Sequence, residues 1–171
     1  MVCLTWLALF LASCATPVLR SDLLQHGFRD VPMARIAQSP SPYVGKLFIL
    51  GGSIVSTTLS ERGSLVEVID MPVDANGYFV EATPTGGRFL AFYPRELGIL
   101  DPVVYQAGRR VTLAGEFVEI RPGRIGEMDY AFPSFDIRQL YLWEEGLAAR
   151  TFPPPNVSIG IGVGVGVGGR W

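Results

Sequence analysis

Apolar and polar positions divide the chain into an apolar opening, a long middle with strand-like texture, and a glycine-interleaved end. Val2 to Ala12 is apolar except for Thr5. From Tyr43 onward, short runs rich in Ile, Leu, Val, Thr and aromatic residues recur between turn signals, which is the texture of strands. They predict strands over 46–58, 65–71, 88–93, 110–120 and 130–143, with a short one near 78–81. Gly51-Gly52 inside the first predicts a bulge or sharp bend. In 65–71 the pattern assigns Leu65, Val68 and Ile69 to the core and Glu67 to water. Val111, Leu113, Glu116 and Val118 mark the fourth strand around Gly115. Asn76-Gly77 and Pro122-Gly123 read as turns, and Pro133 predicts an exposed start to the last strand.

Helical signals are few. One helical turn is expected around 31–37, stopped by Pro40 and Pro42. A short helix is expected with Asp101 as N-cap, Pro102 at its first position and Gly108 as its end. About five strands, glycine bends and one helix before the penultimate strand predict a mainly β chain. The expected fold is a small, partly open OB-like Greek-key barrel with one short helix. The organisation read from the chain is a signal segment over 1–13, a tether over 14–42, a barrel domain over 43–146 and a Pro/Gly-rich low-complexity tail over 147–171.

The apolar opening ends in Leu11-Ala12-Ser13-Cys14. It has the length of a secretory apolar core and falls far short of the roughly 20 residues of a spanning helix. Two small residues before a cysteine form a lipobox: the thiol takes a diacylglyceryl group and the preceding peptide is removed, leaving Cys14 as the lipidation site. Each buried methylene contributes about 0.8 kcal/mol, so two or more chains hold a protein firmly to a membrane. Three other readings stay open: ordinary secretion with cleavage before Thr16, an uncleaved anchor interrupted by Pro17, and a cytosolic chain with a buried first strand. No Lys or Arg precedes the apolar run, which puts Met1 as the true start in question.

Composition narrows the chemistry. With 14 basic and 16 acidic residues the net charge is −2. No basic stripe stands out, which argues against a nucleic-acid partner. Of the two cysteines, Cys3 would leave with the signal and Cys14 would be acylated, so no disulfide or thiolate metal site is expected. His26 is the sole histidine and falls in the tether, where it cannot serve a Ser-His-acid device. Glu67, Asp70 and Asp74 cluster in sequence, as do Glu127 and Asp129, and a glycosidase-like pair could be drawn from them. Charges at strand ends are more often a solvated face. Gly86-Gly87-Arg88 and 122–126 read as turns rather than phosphate cradles. No catalytic residue, cofactor or metal is therefore expected. Phe89, Phe92, Tyr93, Phe117, Tyr130, Phe132, Tyr141 and Trp143 lie on or near predicted strands; most are assigned to the core, and any exposed beside Arg88 or Arg121 would suit glycan or peptide binding.

The ordered set of motifs resembles the Slp family of bacterial outer-membrane lipoproteins. It runs through Tyr43-Val44-Gly45-Lys46, Gly51-Gly52-Ser53-Ile54-Val55, Val66-Glu67-Val68 and Pro72-Val73-Asp74. It continues with Gly87-Arg88-Phe89-Leu90-Ala91, Leu100-Asp101-Pro102-Val103-Val104-Tyr105, Val111-Thr112-Leu113-Ala114-Gly115-Glu116 and Leu142-Trp143. The resemblance reaches from the lipobox to about Glu145. It implies a periplasm-facing outer-membrane lipoprotein of a family associated with starvation and stationary-phase stress, and it brings no catalytic residues. Ala15 after the cysteine fits delivery to the outer membrane.

Ile and Val alternate strictly with Gly from Ile159 to Gly168, and Trp171 shares their parity. One reading is a flexible end behind Pro153-Pro154-Pro155. The other is strand addition, with the tail pairing with another copy, an envelope protein or the membrane surface. The functional expectation is a non-catalytic structural or stress-related envelope role. The alternative is a periplasmic binding module that uses the barrel face for glycan, peptidoglycan fragments or a partner protein.

Overall fold

The computed structural model describes residues 17–80 and 87–144. Five strands form a closed barrel in the order β1-β2-β3-β5-β4: β1 (Leu47–Ser60), β2 (Gly63–Met71), β3 (Arg88–Pro94), β4 (Arg110–Ile125) and β5 (Met128–Leu142). Neighbours are antiparallel except β3 and β5, which run parallel over Leu90–Phe92 and Ser134–Asp136. This order is consistent with the expected OB-like Greek key, but the barrel closes fully where a partly open one was expected. Closure depends on β1, which pairs with β4 through Leu47–Ser53 and with β2 from Gly51 onward. Gly51 and Gly52 sit at that hand-over, paired on both sides. A Cβ at Gly52 would lie 2.3 Å from the Ile69 carbonyl oxygen, and one at Gly51 2.3 Å from Val73 Cγ1. The pair therefore makes room for a crossing chain, and the register shift lies just beyond it, between Ile54 and Ser56.

The interior is filled by aromatic rings. Phe135 of β5 is fully buried and meets Phe48 of β1, Phe89 of β3 and Phe117 of β4 edge-on, with centroids 5.4, 5.7 and 5.5 Å apart. Edge-to-face packing at these separations adds to the burial energy of each ring. Val66, Val68, Val111, Leu113 and Ile137 complete the core. The parity expected for β2 is partly corrected. Val66 and Val68 point inward, whereas Leu65 and Ile69 share the outer, half-buried face with Glu67. Val118 is likewise exposed, because a register shift between Phe117 and Glu119 turns it out of the sheet.

Both ends of the barrel are stoppered. At the start of β2, Leu100 is buried and its amide donates to Ser64 Oγ. At the other end of β2, Met33 packs beside Gly87 and Ile36 is fully buried. Met33 and Ile36 stand one turn apart on α2 (Met33–Gln38), so a single face of this short helix enters the core. The helix expected from Asp101 is absent. Asp101 does cap one turn: its carboxylate accepts the Val103 amide and its carbonyl accepts those of Val104 and Tyr105. The chain then leaves the turn to hand Tyr105 O to the Thr57 hydroxyl and the Gly108 amide to Ile54 O. Pro122-Gly123 is not a turn either. β4 runs through both residues, the reversal falls at Gly126-Glu127, and β5 begins at Met128 with Pro133 buried in its interior.

Residues 17–42, expected as a tether, lie largely on the barrel. α1 (Ser21–His26) and the residues before it bury Leu19 and Leu24 against Ile49, Val73 and Ala114, a second small core on the outside of the sheet. The tail over 147–171 and Cys14 fall outside the described residues.

Candidate functional site

One concavity follows from the path of the N-terminal segment. Phe28 lies parallel to β1, donating to Leu47 O and accepting from the Ile49 amide. Asp30 then adopts a left-handed backbone, φ 57°, a conformation that aspartate tolerates better than most residues. The chain lifts off β1 there and returns through Val31-Pro32 into α2. Between the lifted segment and the barrel lies a cleft of about 550 Å³. Its walls are mostly apolar: Phe28, Val31 and Met33 on one side, Phe48, Ile49 and Leu50 from β1, and Met71 to Val73 beyond the end of β2. Gly87 and Tyr130 close one margin.

Three charged residues border this apolar space. Asp70 lines it from β2 and Asp30 from the loop. Arg29 donates from Nη2 to the Leu24 carbonyl, while its buried Nε has no hydrogen-bond partner. Tyr130 reaches the rim with its hydroxyl, which accepts the Arg88 amide at 2.9 Å. A cleft of this size and lining suits an apolar or amphipathic segment better than a sugar, which needs many convergent donors and acceptors.

The carboxylates grouped by sequence are dispersed. Glu67 stands on the outer face of β2 in an ion pair with Arg88 at 2.7 Å. Asp70 faces the cleft. Asp74 accepts the amides of Asn76 and Tyr78 and so shapes its own turn. Glu127 and Asp129 belong to the exposed β4–β5 reversal, where Arg124 donates to Glu127 O. His26 is exposed at the end of α1, with Nδ1 2.8 Å from Asp22 O. Among the described residues no group of three His, Cys, Asp or Glu is placed to hold a metal ion, and no helix is long and apolar enough to cross a membrane. Burial pushes the Tyr105 phenol above its ordinary range, reinforced by Tyr93. The hydrogen bond that the Arg138 guanidinium donates to the Glu116 carboxylate raises the guanidinium above its own ordinary range.

The aromatic residues split as follows. Phe89, Phe117 and Phe132 are buried; Phe92, Tyr93, Tyr130 and Trp143 are half-buried; Tyr141 is exposed. Phe132 stands opposite Arg121 in the sheet and meets Tyr130 edge-on at 4.6 Å, while Arg121 pairs with Glu119. The sequence pattern did not mark the cleft. Phe28, Asp30 and Met33 sit within the stretch read as a tether, and their one local signal is the Phe-Arg-Asp-Val-Pro-Met run leading into the helical turn.

Comparison with known proteins bears on the whole chain. A model of the Outer membrane lipoprotein Slp family matches residues 11–160. The chain is similar to the Outer membrane protein Slp of Escherichia coli K12, at 26% identity over 139 residues, covering 80% of this chain and 71% of that protein. It is also similar to a Haemophilus influenzae Rd protein described only as uncharacterized, at 29% identity over 96 residues, 55% of this chain and 50% of that one. Among solved structures, a protein assigned as an aspartyl-tRNA synthetase from Leishmania major Friedlin superposes with a TM-score of 0.41 at 10% identity, over 67% of this chain and 20% of that one. A likeness that slight says nothing about function. The family match spans the whole barrel and most of the chain and agrees with the motif order read from the sequence, so the chain belongs to the Outer membrane lipoprotein Slp family.

Proposed function

We propose that this protein is a lipid-anchored outer-membrane protein facing the periplasm, held by acyl chains on Cys14, with a non-catalytic structural or stress-related envelope role. The observation that carries this reading is the barrel itself. Among the described residues its interior is occupied by rings packed on Phe135 and both ends are stoppered, which speaks against a central chamber for a substrate. The dispersal of Glu67, Asp70 and Asp74 into separate places speaks against a catalytic pair drawn from those three. The test is the intact mass and membrane partition of the expressed protein beside its Cys14→Ser form. The reading expects loss of 1–13, an added acyl mass, and membrane retention, with the acyl mass and retention vanishing in the variant. A soluble, unacylated wild-type protein would refute the anchor.

The cleft under Phe28 to Met33 favours a second reading, a binding module. Its apolar walls support a partner's apolar segment over glycan or peptidoglycan fragments. Ala34→Trp, which places a ring at the exposed margin of the cleft, should abolish the enhancement of an apolar fluorophore while the protein stays folded. If wild type and variant give the same enhancement, the cleft is not the binding surface.

A further inference from the structure

The barrel's attachment to its N-terminal exit is unusually tight. Val18 donates to Asn76 O, and its Cγ2 lies where a Cβ on Gly77 would meet it at 2.4 Å. Leu19 is buried, and the Arg20 amide donates to the Gln139 side chain on the outer face of β5. Only Ala15 and Thr16 separate Cys14 from Pro17. At about 3.3–3.6 Å per residue, the Cys14 Cα lies within about 11 Å of the Pro17 Cα. With Cys14 acylated, a premise taken from the function proposed above, the protein has no leash on which to stand away from the bilayer. The surface beside Pro17 must therefore meet the headgroups.

An aromatic cluster stands next to that exit. Gln139, Tyr141 and Trp143 alternate on the outer side of β5 and beyond it, while Leu140 and Leu142 pack inward. Tyr141 and Trp143 lie edge to face at 5.0 Å, and Tyr78 meets Trp143 at 5.5 Å. A chain of contacts joins this cluster to the exit: the Trp143 indole N–H donates to Thr112 Oγ1, Thr112 donates to Gly77 O, and Gly77 packs on Val18. Tyr141 is 39% exposed. Tyrosine and tryptophan favour the boundary between hydrocarbon and water, because each has an apolar body and a polar tip. Of the nearby charges, Arg20 pairs with Asp22, Arg110 lies over the Phe79 ring, and Arg109 donates to the Trp143 carbonyl.

We propose that the face formed by Tyr78, Tyr141 and Trp143 is the surface on which the barrel rests against a lipid bilayer. The seating is interfacial rather than electrostatic, so it persists at high salt. The test uses the full acylated protein carrying Trp171→Phe, which leaves Trp143 as the sole tryptophan of the mature chain. It is reconstituted in phosphatidylethanolamine–phosphatidylglycerol vesicles whose acyl chains are brominated near the headgroup. Trp143 emission should be blue-shifted and strongly quenched at low and high salt alike. Adding Tyr141→Asp should relieve most of the quenching while the protein stays folded and vesicle-bound through its anchor. An acyl mass with Trp143 unquenched by bromolipid overturns the seating and leaves the anchor standing. Trp143 shielded from acrylamide yet unquenched by bromolipid also overturns it, because another protein chain then covers the face. Absence of any acyl mass removes the premise, and the seating with it.

Discussion

The inside of the barrel and the cleft beside it are built partly from the same residues, yet they are opposites in packing. Phe48, Leu50 and Met33 contribute to both. On the inner side Phe48 meets Phe135, which three rings from three strands hold in place. On the outer side the same strand faces about 550 Å³ of space, covered by a segment that departs from it at a left-handed aspartate. Interior positions are fixed by many mutual contacts and tolerate little change. Cleft positions are fixed on one side only and can accept a new neighbour. A closed barrel can thus confine rigidity to its interior and leave adaptability to the chain that wraps it.

The largest effect should come from removing the hub of the interior. Phe135→Ala should cost about 3–5 kcal/mol in denaturant unfolding; a loss below about 1 kcal/mol would mean that the four rings do not define the core. Gly52→Ala comes next, at about 1–3 kcal/mol, since its Cβ would strike the Ile69 carbonyl. Gly108→Ala is the contrast: its φ of 87° favours glycine, as that of Gly52 does not, but the space around it is open, so it should cost only about 1 kcal/mol. The cleft side should respond with the opposite sign. Arg29→Met removes a half-satisfied, partly buried guanidinium and should be neutral or stabilising by up to about 1 kcal/mol. A clear destabilisation would show that the charge is needed there.

The smallest effect is alkaline. The Tyr105 phenol titrates higher in the folded state than in the unfolded chain. Its contribution is thus complete below the unfolded value of about 10 and is lost as pH rises through the folded one. Tyr105→Phe should flatten the fall of stability with pH in that window, measured by denaturant midpoints beside the phenolate absorbance. An unchanged slope would show that Tyr105 is as solvated in the fold as out of it.

Strands were the most legible part of the sequence, because two-residue alternation is a local signal. Each of the five longer predicted runs overlaps a strand of the barrel, and the 78–81 run contributes a single bridge, Val73 to Phe79. The errors have non-local causes. Val118 was turned outward by a register shift dictated by β5, and Leu65 and Ile69 have the right hydrophobicity on the wrong parity. Asp101 gave an authentic capping signal, but tertiary bonds to Thr57 and Ile54 claimed the chain after one turn. The docking of 17–42 on the barrel, and with it the cleft, was not legible because Leu19, Leu24, Met33 and Ile36 are spread across a bend and two short helices. Their burial exists only once the barrel surface exists to receive them.

The β4–β5 hairpin carries one more consequence. Its outer half, from Glu119 to Pro133, pairs only within itself; β1 meets β4 no farther than Glu116, and β3 meets β5 no earlier than Ser134. The Arg88 amide, donating to the Tyr130 hydroxyl, ties it across to β3. Amide protons along this arm should exchange through opening events that leave the Phe135 interior shut, giving the domain two tiers of protection within a single pair of continuous strands.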